Sequence, residues 1–358
     1  MNEEAKIIES SQWLLRLWQE LTTLHEGGQH SILINGGAMD YTKLIKEVGR
    51  GKNHARDLDR EQALALYREM LAGVVPDLQL GGLLIALRIK GESEEEMLGF
   101  YQAMEEQVMP LQAPAERPMP VVIPTYNGAR KQANLTPLLA MLLSKLGLPV
   151  LVHGVGEDPT RITSAEIFRA LGVEAAQDQL QAQQQLDAGG LPVFVPVSVL
   201  CAAIDKQLAL RWQMGVRNSS HTLAKLITPF AGQESLRLSS VSHPEYIQKV
   251  SSFFRQVEGR ALLSQGTEGE VYANPQRFPQ IHLIANGIQE ILSDRQDFEN
   301  VELPASKDVV ATVAFTQECL SGQRAIPQAI LNQLMCCLVG AGISGDMEEA
   351  RMIIEQVF

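Results

Sequence analysis

No two cysteines in this sequence stand in C-x-x-C spacing, and there are only four: Cys201, Cys319 and the neighbours Cys336 and Cys337. That excludes the common zinc and dithiol redox motifs and leaves four reduced thiols in apolar helices. No apolar run approaches the roughly 20 residues that span a bilayer. The opening MNEEAKIIES is acidic where a secretory signal would be basic. The expectation is a cytoplasmic protein with no membrane partner. A surplus of positive charge is also missing: the formal net charge is −12, and long-range repulsion slows the approach of polyanions to such a chain. Any nucleic-acid site must then be a local patch. There is no internal repeat.

What is present is enough apolar matter for a sizeable core. A chain of 358 residues at 45% hydrophobic content suits two domains, or one large α/β domain carrying a smaller helical one. Residues 3–24 place Ile7, Ile8, Leu14, Leu15, Trp18 and Leu21 at helical spacing, so residues 1–38 read as an N-terminal helical extension. Residues 39–110 read as a small helical domain. EQALALYREMLAG, DLQLGGLLIALRIKG and SEEEMLGFYQAMEEQV are helical in pattern, and Ser93 with Glu96 makes a capping box. After the Pro-rich LQAPAERPMP the period changes. VVIP, LPVLVHG, LPVFVP, ALLSQG and QIHLIANG are short apolar runs separated by helices such as PLLAMLLSKLG and SAEIFRALG. That alternation predicts an α/β domain over 111–358 with a mainly parallel central sheet covered on both faces. Helices near 203–230 are expected to pack on the small domain.

Within that plan, IPTYNGARKQANLTP at 123–137 runs from a strand through a Gly-containing loop to a helix start, a common way to build an anion site. Its candidates are Asn127, Arg130 and Lys131 for phosphate, with Tyr126 either stacking on a base or packing against the next loop. Arg161 follows another predicted strand. Between 200 and 232, Lys206, Arg211, Arg217 and Lys225 face only Asp205 in the count, with Trp212 and His221 among them. One such run by itself reads as a solvated surface. Several of these cations, however, come just after predicted strands, where open α/β sheets bind ligands. Cations there, with a Trp or Tyr to stack on, suit a phosphate chain with exposed bases.

The helical unit GVVPDLQLGGLLIALRIKGESEEEM and the order helical domain then α/β domain resemble the anthranilate phosphoribosyltransferase and nucleoside phosphorylase superfamily. EVGRGKNHARDLDRE, PTYNGARKQANLTPLLA, VHGVGEDPTR, MGVRNSSHTLAKL, SSVSHPEY and GTEGEVYANPQR more closely resemble its YbiB-like, TrpD-like family, described as nucleic-acid-binding homodimers. The resemblance covers the chain from Met39 onward. It implies a nucleoside phosphorylase/phosphoribosyltransferase-like fold and a homodimer joined through the helical domains.

It also implies four substrate motifs, and most have changed here. The Gly-Thr-Gly-Gly-Asp loop that holds phosphoribosyl pyrophosphate falls on Ile123, Pro124, Thr125, Tyr126 and Asn127, so every loop glycine has gained a side chain. Lys-His-Gly-Asn-Arg falls on Val152, His153, Gly154, Val155 and Gly156, without the cation. The Asp-Glu pair that holds magnesium is matched only by Glu270 and Glu268, making Glu270 a weak metal candidate. The last motif keeps Arg217 and replaces Asn by His221 and Gly-Pro by Ala224-Lys225, which adds positive charge. The expectation is a protein that binds single-stranded DNA or RNA with little sequence preference, without a required cofactor and without assigned catalytic residues. The degenerate motifs argue against transferase chemistry. The alternative is a glycosyltransferase or phosphoribosyltransferase acting on a different ribosyl or nucleoside substrate, with Mg²⁺.

Overall fold

The computed structural model describes residues 34–35, 38–51 and 53–358; the helix expected over 3–24 and Lys52 lie outside them. Two units are distinguished, residues 1–44 and 45–358. In the first, strands β1 (Ile34–Asn35) and β2 (Ala38–Met39) pair antiparallel, and the helix Tyr41–Val48 begins.

The second unit opens with helices Arg60–Ala72, Asp77–Lys90 and Glu94–Glu105. Their ends are set by local chemistry. Asp59 and Gln62 form a capping box on the first, which stops at Gly73 in the left-handed region, φ +73°. Ser93 and Glu96 form the capping box read from the sequence. Glu96 is fully buried, and its carboxylate also accepts from Leu58 N at 3.0 Å and Lys90 Nζ at 2.6 Å. This buried charge is therefore both paired and hydrogen-bonded, the condition for tolerating it. Gly99 lets the third helix meet the first: a Cβ there would lie 2.8 Å from Ala63 Cβ.

The α/β part contributes strands β3 (Val121–Thr125), β4 (Val150–Gly154), β5 (Val193–Pro196), β6 (Leu236–Val241) and β7 (Ala261–Gln265). After them come β8 (Arg277–Phe278), β9 (Ile281–Ala285), β10 (Ile288–Ser293) and β11 (Gln296–Asp297). Seven of these form one sheet of order β10-β9-β7-β6-β3-β4-β5, while β8 and β11 pair separately. Strands β5-β4-β3-β6-β7 are parallel, and β9 and β10 run antiparallel at one edge, which is the mainly parallel sheet expected. β3 and β4 are buried at every position, because helices such as Thr136–Lys145, Ser164–Ala170 and Gln328–Gly340 pack on the sheet. Each fully buried Leu or Phe in such a core contributes about 1.5–3 kcal/mol. Among the described residues, no helix is long and apolar enough to cross a membrane.

Two strands of the seven-stranded sheet, besides the short pairs β1-β2 and β8-β11, escape the sequence reading. β6, LRLSSV, hides because Arg237 sits inside it, buried and donating to Tyr101 Oη at 3.0 Å with its guanidinium over Phe254. β10 is a solvent-facing edge strand without an apolar run.

The strand order reverses at β3, with β4 on one side and β6 on the other. That makes the carboxyl ends of β3 and β6 the crevice where open α/β sheets bind ligands. The segments following β3 (126–135), β4 (155–163), β6 (242–246) and β7 (266–276) all emerge at this end.

Candidate functional site

The loop after β3 has six consecutive backbone N–H groups, residues 127–132, and all six are satisfied. Ala129 N donates to Ile162 O at 2.8 Å. The other five go to two carboxylates carried by the turn after β7. Asn127 N and Gly128 N both donate to Glu270 Oε1 at 2.7 Å. Arg130 N and Lys131 N donate to Glu268 at 2.8 and 2.9 Å, and Gln132 N at 3.4 Å. Thr136 Oγ1, at the start of the next helix, donates to Glu270 Oε2 at 3.3 Å. Where the sequence suggested a phosphate, the loop's amides meet the chain's own glutamates.

The turn is held from two further sides. Asn127 Nδ2 donates to Gly269 O at 2.7 Å, and Lys225 Nζ donates to the same oxygen at 2.9 Å. Gly269 has φ +89°, and a Cβ there would collide with the Asn127 amide. Glu268 is itself in the left-handed region, φ +53°, a conformation uncommon outside glycine.

Around this core stand most of the cations singled out in the sequence. Arg161 Nη1 donates to Asn127 O at 3.1 Å. Arg211 lies 3.5 Å from Asp158 Oδ2 and over the ring of Trp212, which is 53% exposed. Arg217 is half-buried, and burial, followed by the charges of Arg211 and Arg161, pushes its guanidinium below its usual range. Lys225 is held down to about 8 by burial, with Glu270 opposing and Arg217 and Arg161 adding to the effect. His221 is held down to about 3 by burial and then by Arg217 and Arg211. The cluster thus crowds positive charge that a polyanion would relieve.

Not every candidate joins it. Tyr126, read as a stacking platform or a packing residue, packs: it is 6% exposed, with its hydroxyl 2.8 Å from His153 Nδ1. Arg130 and Lys131 have exposed side chains, and Lys131 lines a separate cavity of about 210 Å³ with Tyr272 and Lys307. Lys206 is exposed on the helix Ala202–Ala209.

A larger cavity of about 600 Å³ opens beside the cluster, between the helical elements and the end of β6. Arg217, His221 and Lys225 form one wall, while Arg88, Lys249 and Tyr246 contribute residues the sequence reading missed. Arg88 Nη1 donates to Arg217 O at 2.8 Å. Arg88 and Lys249 gave no signal because each is one charge at an exposed helix position. The cavity is not uniformly basic, since Glu92 and Glu94 also line it, Glu92 bonded to Ser219.

Mg²⁺, which the resemblance attaches to the Asp-Glu pair, does not fit this donor set. Glu270 is 1% exposed and its oxygens face N–H and O–H donors, a positive field that a cation would not enter. Among the described residues, no group of three or more His, Cys, Asp or Glu side chains is placed to hold a metal ion.

Comparison with known proteins agrees with this architecture. Residues 42–108 match the helical bundle domain of a glycosyl transferase family. The uncharacterized protein YbiB of Escherichia coli (strain K12) is 58% identical over 321 residues, covering 89% of this chain and all of that one. The anthranilate phosphoribosyltransferase of Thermus thermophilus is 28% identical over 209 residues, 58% of this chain and 62% of the enzyme. A crystal structure of the Thermus thermophilus enzyme superposes with a TM-score of 0.72 at 23% identity, covering 89% of this chain and 94% of that one. The Saccharomyces cerevisiae enzyme, solved with PRPP and Mg, gives 0.69 at 14% identity over 88% and 93%. Fold likeness at such identity establishes a scaffold and leaves the activity to the site. With more than half its residues shared across the full length of its Escherichia coli relative, the chain belongs to the YbiB family, built on the anthranilate phosphoribosyltransferase scaffold.

Proposed function

We propose that this protein binds single-stranded DNA or RNA with little sequence preference, using the cationic end of its sheet. One observation carries the reading: Arg161, Arg211, Arg217 and Lys225 gather around a loop whose own anion-binding amides are already occupied. Positive charge around a loop with no free amides for a pyrophosphate suits phosphates passing outside, and the exposed Trp212 beside Arg211 offers a face for a base. The acidic remainder of the surface limits contact to this patch. Binding to a labelled single strand, titrated with salt, tests it directly.

The homodimer is part of the same proposal. On the helix Asp77–Lys90, Leu78 is 90% and Ile89 59% exposed, with Ile85 on the same face and Val74 just ahead of it. Contiguous apolar surface of this kind marks an interaction face, and a two-fold pairing of helical elements would cover it.

A second reading, a glycosyltransferase or phosphoribosyltransferase acting on an unidentified ribosyl or nucleoside substrate, is favoured by the 600 Å³ cavity between the helical elements and the strand ends. Calorimetry with phosphoribosyl pyrophosphate and with nucleosides, with and without Mg²⁺, separates it from the first: heat of binding supports the enzyme, and its absence counts against it.

A further inference from the structure

We propose that the loop after β3 is a two-pocket receptor for tetrahedral anions whose resident ligand is the chain's own Thr267–Glu270 turn. The inner pocket is the pair of amides at Asn127 and Gly128, converging on one oxygen of Glu270. The outer pocket is the run Arg130, Lys131 and Gln132, converging on Glu268. Successive backbone N–H groups aimed at one point form an anion nest irrespective of what fills it. Here two carboxylates fill two adjacent nests.

The turn is shaped for that task. Glu268 and Gly269 take consecutive positive φ values, +53° and +89°, which throws the side chains of 268 and 270 toward the same loop. Thr267 and Glu270 close the turn with reciprocal backbone hydrogen bonds at 3.0 and 2.9 Å. Asn127 and Lys225 then fasten Gly269 O from the receptor side and the cationic side. The receptor is thus latent: it holds a phosphate-class anion only when a carboxylate leaves. In the resting protein, the turn restricts phosphate groups to the side-chain cations outside. This goes beyond the nucleic-acid reading and does not rest on it.

Inorganic phosphate is the probe, at constant ionic strength, with thermal unfolding of the full chain as the readout. Glu268 is partly exposed, so Glu268→Ala keeps the core intact and frees the outer amides. Its melting temperature should rise saturably with phosphate. The wild type and Glu268→Gln, which retains an acceptor oxygen, should show a smaller rise, made of salt exclusion and phosphate on the side-chain cations, and the two should match each other. Glu270→Ala should gain a saturable response of its own at the inner amides, but its folding is not required, because Glu268→Ala decides the matter alone. Equal saturable responses in the wild type and Glu268→Ala would mean that the turn does not keep phosphate out of the loop. A folded Glu268→Ala that ignores phosphate would mean that it is no receptor. Each of these comparisons is made against the wild type's own response, which includes phosphate held by the side-chain cations, and equality of wild type and Glu268→Ala overturns the proposal.

Discussion

The hydroxyl of Tyr126 lies 2.8 Å from Nδ1 of His153, with the imidazole wholly out of solvent. Burial lowers the His153 pKa to about 3, against 6.5 for an ordinary histidine. The unfolded chain then binds a proton near pH 6.5 that the folded chain refuses. Stability is complete above about pH 6.5 and falls with acidification, by about 1.4 kcal/mol per pH unit for this one group. His221, also held down to about 3, acts in the same direction. Urea unfolding at pH 7.5, 6.5 and 5.5 checks this, and a stability that stays level from 6.5 to 5.5 refutes it. Tyr126→Phe, which strips the imidazole of its partner, should cost about 1–3 kcal/mol at pH 7.5.

Lys225 supplies a pH dependence that an ordinary surface lysine would not. Held down to about 8 from 10.5, it is charged at pH 7 and largely neutral at pH 9.5. Affinity for a single strand should therefore weaken across that interval. Lys225→Arg keeps its charge and should flatten the profile. An identical profile in both proteins would remove Lys225 from the phosphate path.

Arg211, Arg217 and Lys225 should act together on salt dependence. If each meets one phosphate, the triple alanine variant should lower the magnitude of the log–log salt slope by about 2, given about 0.7 per phosphate on single strands. The loss should be similar for unrelated sequences. Unchanged affinity and slope would exclude this cluster as the binding patch. Arg211 carries an additional effect, because its removal leaves Asp158 without its cation.

Association state can be read at Leu78. The proposal expects a wild-type dimer by light scattering, and carboxylates on the apolar helix face, Leu78→Glu with Ile89→Glu, should yield a folded monomer at the same concentration. A double variant that remains dimeric would show that the contact lies elsewhere.

The layers of the fold were legible where a helix start or strand core has a local cause, as at Ser93 with Glu96 and in the apolar runs at 121–124 and 150–152. β6 was not, since Arg237 satisfies its charge with Tyr101 and Phe254, one of them remote in sequence. The site was half legible. Arg161, Arg217, His221 and Lys225 do converge, whereas Arg130 and Lys131, which follow β3 directly, stand apart with exposed side chains. That Glu268 and Glu270 would close the loop could not be read locally: the contact joins residues 143 positions apart and depends on the way β7 lies beside β6 and β6 beside β3. Tyr126 suited stacking as well as packing in the sequence, because its burial against His153 is a tertiary fact.

The docking of the turn after β7 onto the loop after β3 also has a kinetic meaning. The amides of Asn127 and Gly128 have no partner within their own segment of chain; their protons are sheltered by a side chain that arrives from elsewhere. Their exchange with deuterium then measures how often that turn lifts, separately from the opening of the sheet beneath. The loop contains its own clock.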